Sequence, residues 1–442
     1  MQTDFTKGSV NKALFIFAIP MILGNILQQC YNLVDTWVVG KYIGSAALSA
    51  VGSAYSLITF INSVLIGMCM GCGSLFAYYR GRQDKSQFQN CLQTSFVLFS
   101  LMAVAISILV QIFTNPILIL LQTPTELMPA MQSYTHIIFT GIVFVYLYNY
   151  YAFLLRAVGN SSTPLLFLAL SSVLNIVLDI LFVKECHWGI EGAAAATVIS
   201  QVISGIGLML YTYLVFPSLR FSGRAFRQGD KPVRQILQFG FASSAQQSIM
   251  NFGILMVQGI VNSFGVSVMA AFAAGVKIDT LAYMPAQEFG NAYSIFVSQN
   301  YGADQLGRIK KGTKSAFLCT CIFCIVISSL VCCCAGPLIG IFIQHSETEI
   351  IRIGIQYLRI EGAFYFLIGI LFLWYAYFRG TNRPQISLYL TIISLGTRVI
   401  LAYIASKFFG ASGIWWSIPI GWVLADLAGL LFYRSKNAVR KS

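Results

Sequence analysis

Four polar residues, Asn25, Gln28, Asn32 and Asp35, recur at spacings of three, four and three inside an apolar run, NILQQCYNLVDTWVVG. On a helix that spacing makes one polar stripe. Farther along, NIVLD sets Asn175 and Asp179 four residues apart, again on one helical face. Burial in a low dielectric disfavours a charged carboxylate, and two close together cannot easily both ionise. Such a pair can take up and release a proton near neutral pH, or hold a dehydrated Na+ with amide and hydroxyl oxygens. An acid at that depth costs several kcal/mol, so it reads by default as an energy-coupling site rather than as packing.

The elements that must position these residues are membrane helices. The chain has 442 residues, of which 57% are hydrophobic and 10% charged, and its mean hydropathy is +0.74. A soluble domain normally carries about a quarter charged residues. Apolar stretches of about 20 residues or more, enough to cross the hydrocarbon, recur twelve times between residues 13 and 433. An even number puts both termini on one side. If that side is cytoplasmic, 21 of the 28 Lys and Arg lie on cytoplasmic segments, four lie opposite, and Lys277, Arg359 and Arg398 fall in spans. This bias predicts a multi-pass protein of the cytoplasmic (inner) membrane with both termini inside. The net charge of +13 is then mostly a topology signal, with no basic soluble face for nucleic acid. The first apolar run is too long and too polar on one face for a cleaved signal. Ten of the eleven cysteines, all but Cys186 and including those of CMGC, CTCIFC and CCC, lie in apolar spans and read as small hydrophobes.

The chain is written twice. VGKYIGSAALSAVG (39–52) resembles VNSFGVSVMAAFAAG (261–275), with Gly44 opposite Gly265 at an offset of 221. Gly81 and Gly302, Gly189 and Gly410, and Gly192 and Gly413 repeat that offset, and Pro164 and Pro384 stand 220 apart. The expected fold is an all-α integral membrane protein of twelve transmembrane helices, in two pseudo-symmetric six-helix lobes around a central cavity. The lobes are expected at 1–215 and 233–442, joined by a basic cytoplasmic linker at 216–232. Two lobes that rock about a central site describe alternating access, hence a transporter.

Asp35 falls opposite Met256, and the region of Asp179 falls opposite LGTRVIL, which has Arg398 and no carboxylate, so the paired acids are expected in the first half alone. Lys277 and Asp279 read either as a local charge pair in the cavity wall or mouth, or as part of coupling, with Glu288 nine residues beyond Asp279. Glu361 and Arg359 read as interfacial, Asp426 as placed to pair with Arg398, and His136 as packing. Dense aromatics such as YLYNYYAF fit interfacial belts and core, with Tyr134 a candidate for the cavity. Met21, Met250 and Met256 would give adaptable apolar surface, suited to amphipathic, often cationic, organic molecules.

Pro20, Gln28 and Asp35 in a P-(x)7-Q-(x)6-D pattern, the run NLVDTWVVGKYIGSAALSAVG, LLRAVGN, LNIVLD, GIEGAAAAT, NSFGVSVMAAFAAG and QNYGAD together resemble the multidrug and toxic compound extrusion (MATE) family over residues 12–433. In detail they are similar to the branch of the DNA-damage-inducible exporters. That resemblance implies a cation-coupling site made by Asp35, Asn175, Asp179 and Thr197. It also implies a substrate pocket or hydrogen-bond network with Gln28, Asn32, Tyr134 and Asn149, and a bend in the first helix at Pro20 that depends on protonation. Another branch has an essential acid on the seventh helix, where this chain reads FASSAQQSIMNFGILMVQ without one. A coupling ion in the second lobe is then expected only if Glu288 or Glu361 substitutes.

The resemblance implies a monomeric antiporter in the lipid bilayer, not an enzyme, without cofactor, that exports small drug-like or toxic organic compounds in exchange for H+ or Na+. A lipid-linked sugar flippase of the same superfamily is the alternative, although such proteins often add spans and a strongly cationic cavity. A membrane-embedded lipid-modifying enzyme is the other; the chain has no HExxH, no nucleophile with an adjacent base and no Asp-rich metal motif.

Overall fold

The computed structural model describes residues 3–120, 123, 125–221, 232–344 and 346–439. Arg224, Arg227 and Lys231 of the expected linker, and Arg440 and Lys441, lie outside the described residues. Among the described residues there is helix and no strand. The first half holds α1 (Val10–Tyr42), α2 (Ser45–Arg82), α3 (Lys85–Ile112), α4 (Thr114–Leu120), α5 (Met128–Thr140), α6 (Ile142–Ala157), α7 (Ser162–Asp179) and α8 (Gly189–Val215). The second holds α9 (Val233–Asn262), α10 (Val266–Gly302), α11 (Leu306–Cys333), α12 (Ala335–Gly340), α13 (Thr348–Gly362), α14 (Tyr365–Gly380), α15 (Pro384–Phe409) and α16 (Ala411–Val439).

Among the described residues, nine helices are long and apolar enough to cross a membrane, and two bent pairs, α5–α6 (42°) and α13–α14 (48°), each supply one more. The twelfth long helix, α9, has 30 residues, about 45 Å at 1.5 Å per residue. Gln235, Gln238, Ser243, Ser244, Gln246 and Gln247 keep it below that apolarity. Outward faces are as greasy as a core: Leu101, Ile112 and Leu214 are 65%, 66% and 68% exposed. In α3 only 22% of the most apolar window is buried. Such surface is stable against lipid, not water.

The chain forms two compact units, Met1–Asp4 with Ile16–Ser244, and Phe5–Phe15 with Ala245–Ser442. In the first, α2 and the start of α9 meet through glycines one helical turn apart. A Cβ on Gly67 would sit 2.4 Å from Ser244 Cα, and one on Gly71 would sit 2.4 Å from the Phe239 carbonyl oxygen. Small residues four apart let helix backbones touch where lipid supplies no hydrophobic drive.

In the second unit the residues before α1 are docked rather than loose. Phe5 is fully buried, edge-on to Phe296 at 5.8 Å, and its N–H donates to Gln299 Oε1 at 3.2 Å. The Arg308 guanidinium donates to the carbonyls of Phe5, Lys7 and Gly8 at 2.9, 2.7 and 2.8 Å.

The duplication is visible in the backbone. Left-handed residues recur at the offset of 221: Gly44 (φ 116°) and Gly265 (90°), Gln83 (60°) and Asp304 (54°), Gly189 (61°) and Gly410 (59°). Gly44 and Gly265 each precede a long helix, α2 and α10, where a side chain would strain the turn.

Candidate functional site

Two helices of the first unit carry the acids. α1 runs unbroken from Val10 to Tyr42 through Pro20, which has no N–H to give the Ile16 carbonyl. A Cβ on Gly24 would meet Leu165 and Leu168 of α7 at 3.5 Å, ordinary contact distance. From that level each helix advances eleven residues, Gly24 to Asp35 and Leu168 to Asp179, so the two carboxyls arrive at the same height. α7 ends at Asp179, and the chain continues as a π-helical turn, Ile180–Glu185. Such turns concentrate at functional sites because they re-aim the side chains around them.

The carboxyls of Asp35 and Asp179 lie within hydrogen-bonding reach of each other. Asp35 Oδ1, both Asp179 oxygens and Asn175 Oδ1 are buried and receive no hydrogen bond. Asn175 Nδ2 donates to Thr197 Oγ1 at 3.4 Å, and that hydroxyl donates to the Ala193 carbonyl at 3.1 Å. Tyr134, 6% exposed, stands beside both acids and Tyr31. The Tyr31 side chain hydrogen-bonds Gln28 and neighbours Asp35, Tyr55 and Tyr148. The fold therefore brings together Asp35, Asn175, Asp179, Thr197 and Tyr134, and reaches Gln28 through Tyr31. Asn32 stays half-buried on the α1 stripe. Asn149 is turned into its own helix, where Nδ2 donates to the Val145 carbonyl at 2.8 Å. Pro20 lies one turn before Gly24, far below the acids.

Four buried acceptor oxygens without a donor are an unstable set as they stand. A proton shared by the two carboxyls supplies one donor and removes their repulsion, and a small cation among the four oxygens would satisfy all of them. This follows from the donor count alone.

The second unit holds a site the sequence reading missed. Asp279 and Glu361 are 2% and 4% exposed, with their carboxyls within hydrogen-bonding reach. Tyr357 Oη donates to Asp279 Oδ2 at 2.5 Å, and Tyr365 Oη donates to Oδ1. Arg398 lies near enough to act on Glu361 by charge. All of these except Tyr365 line a cavity of about 70 Å³, with Tyr283, Trp422 and Ser394.

Paired acids are thus present in both halves, which corrects the expectation of a pair in the first alone. Glu361 is buried rather than interfacial, because α13 turns that face onto α10. Asp279 takes its donors from tyrosines, while Lys277, on the opposite side of the turn, is exposed and lies 5.7 Å from the Phe342 ring. Asp426 does not pair with Arg398; neither of its oxygens receives a hydrogen bond, and its neighbours are Cys321 and Tyr375. Glu288 accepts from Asn291 Nδ2 at 3.3 Å and sits beside the buried Arg379, which also donates to Ser294 Oγ and Asn291 Oδ1, both at 3.1 Å. The i,i+4 pair Tyr357 and Glu361, with an intramembrane Arg398, was the signal available in the sequence.

The profile of the MatE family matches residues 20–181 and 241–404, most of both halves. The chain is 28% identical over 432 residues to YpnP of Bacillus subtilis (strain 168), named for multidrug resistance, covering 98% of this chain and 96% of that one. It is 22% identical over 433 residues to the multidrug export protein MepA of Staphylococcus aureus (strain NCTC 8325 / PS 47), covering 97% and 94%. Among solved structures, a multidrug resistance MATE family transporter of the MOP superfamily in an outward-facing conformation superposes with a TM-score of 0.93 at 25% identity, covering 100% of this chain and 99% of that one.

Proposed function

Because the chain belongs to the MatE family, a transporter rather than an enzyme family, we propose that it is a secondary antiporter that exports amphipathic, often cationic, organic compounds in exchange for H+ or Na+. The observation that supports the coupling is the facing pair Asp35 and Asp179, where among the described residues Asp35 Oδ1 and both Asp179 oxygens lack donors and the pair lacks a basic neighbour. A cation arriving from outside neutralises the pair, with Asn175 and Thr197 as amide and hydroxyl support. Neutralisation removes the repulsion between α1 and α7 and loosens the grip on a cationic substrate. Release of the cation inward restores the charge and readies the site for the next substrate. Cation entry supplies roughly 2.3 kcal/mol per charge per 100 mV.

In this reading the two units are lobes that alternate access, Pro20 gives α1 a point at which to bend, and Tyr134 and Gln28 extend the network toward substrate. Asn32 and Asn149 would join when α1 and α6 move. The chain works as a monomer in the cytoplasmic membrane with both termini inside, which the Lys and Arg bias supports.

The test is efflux of a cationic dye from proteoliposomes under separately imposed pH and Na+ gradients. Wild type should respond to at least one gradient, and Asp35→Asn to neither. Gradient-driven efflux that persists in Asp35→Asn would sink the coupling assignment.

A further inference from the structure

We propose that the second unit binds the head group of an amphoteric molecule, one carrying an ammonium and a carboxylate on the same carbon, between Glu361 and Arg398. The inference rests on the transport reading above and narrows its substrate class.

The cavity is built and its charges are unfinished. Glu361 and Arg398 are 4% and 8% exposed, and both line the same space of about 70 Å³. Among the described residues no ion pair joins them, and Glu361 Oε2 and Arg398 Nε have no hydrogen-bond partner. Two opposite charges that stay apart across a gap, in a setting where each unpaired group is costly, call for a bridging group.

The charge count selects what bridges. Asp279 is saturated by the hydroxyls of Tyr357 and Tyr365. Two touching buried carboxyls cannot easily both ionise, so in this reading Asp279 and Glu361 share one negative charge. Arg398 opposite carries one positive charge, so the cavity presents a dipole with no net charge. A ligand with an ammonium alone would pair with Glu361 and leave Arg398 unpaired and repelled; a carboxylate alone would do the reverse. Only a ligand with both completes the set, and discrimination of this kind comes largely from what the wrong ligand leaves unpaired.

Size agrees. Pockets for whole drug-sized ligands run about 300–1,000 Å³, so about 70 Å³ admits a head group of a few heavy atoms. The apolar remainder would leave the cavity past Met250, Ile254 and Leu395, half-buried residues of its lining.

Three probes share one ring and one chain length: phenylalanine carries both charges, phenethylamine only the ammonium, 3-phenylpropionate only the carboxylate. Titration calorimetry on the purified full chain in detergent should show phenylalanine binding at least tenfold tighter than either. Arg398→Gln should erase the advantage over phenethylamine, and Glu361→Gln the advantage over 3-phenylpropionate. If either variant does not fold, Ile254→Phe narrows the cavity with both charges in place and should abolish the preference. Equal or absent binding of the three by wild type, or a preference that survives these variants, overturns the proposal. Dye efflux by the same wild-type preparation separates the two readings: dye export without a phenylalanine preference sinks this site alone, and a phenylalanine preference without gradient-driven export sinks the antiport reading alone.

Discussion

Among the described residues of the first unit, Asp35 and Asp179 face each other with no basic side chain beside them, and four buried oxygens there lack donors. In the second, Asp279 and Glu361 also lie side by side, but two tyrosine hydroxyls satisfy Asp279 and Arg398 stands across a gap. The backbones beneath the two sites repeat at an offset of 221, down to left-handed turns at Gln83 and Asp304. Duplication therefore conserved the scaffold while the charges diverged. One half has a deficit that an exchangeable cation can fill, and the other carries its own tethered cation.

Four tests break or sharpen that contrast. The largest effect is expected at Asp35→Asn, which removes half of the first pair: gradient-driven dye efflux in proteoliposomes should fall to the protein-free background. Next is Arg398→Leu, which leaves the second pair without its counter-charge. Thermal unfolding in detergent should register a loss of about 1–3 kcal/mol, the cost of a buried charge left without its counter-charge, and the double variant with Glu361→Leu should recover most of it. If the double variant is no better than the single, Arg398 is not the counter-charge.

Smaller effects probe the scaffold. Gly71→Ala drives a methyl group into the Phe239 carbonyl and should cost about 1–3 kcal/mol. The second half already has alanine at the matching position, Ala292. Smallest is a capping difference. Asp84 accepts from the Gln87 N–H at 3.0 Å at the start of α3, whereas its counterpart Gln305 makes no side-chain cap for α11. Asp84→Ala should lower stability by about 1 kcal/mol, and Gln305→Ala by nothing measurable in the same assay.

The legible features were periodic or repeated. The stripe ending at Asp35 and the Asn175–Asp179 pair are local patterns, and a helix fixes which face they share before any tertiary contact forms. The duplication could be read because glycines at Gly44 and Gly265 answer to the same backbone need. The second pair could not be read that way. Asp279 and Glu361 sit on different helices, α10 and α13, and neither belongs to a stripe of polar neighbours. Their meeting is a property of packing, and so is the separation of Asp426 from Arg398. The π-helical turn after Asp179 was equally silent, since ILFVKE has nothing that a π-helix requires and an α-helix refuses. The bends at Gly141 and at Ala363–Phe364 divided two expected spans into helix pairs for the same reason.

The docked N-terminal residues set a timetable for biosynthesis. Phe5 leaves the ribosome about 300 residues ahead of its partners Gln299, Asn300 and Arg308. At roughly 5–20 residues per second, the ribosome needs about 15–60 s to deliver them. Until then a buried phenylalanine and three carbonyls of the finished protein must wait without their partners, and the second unit cannot complete its fold before Arg308 has emerged.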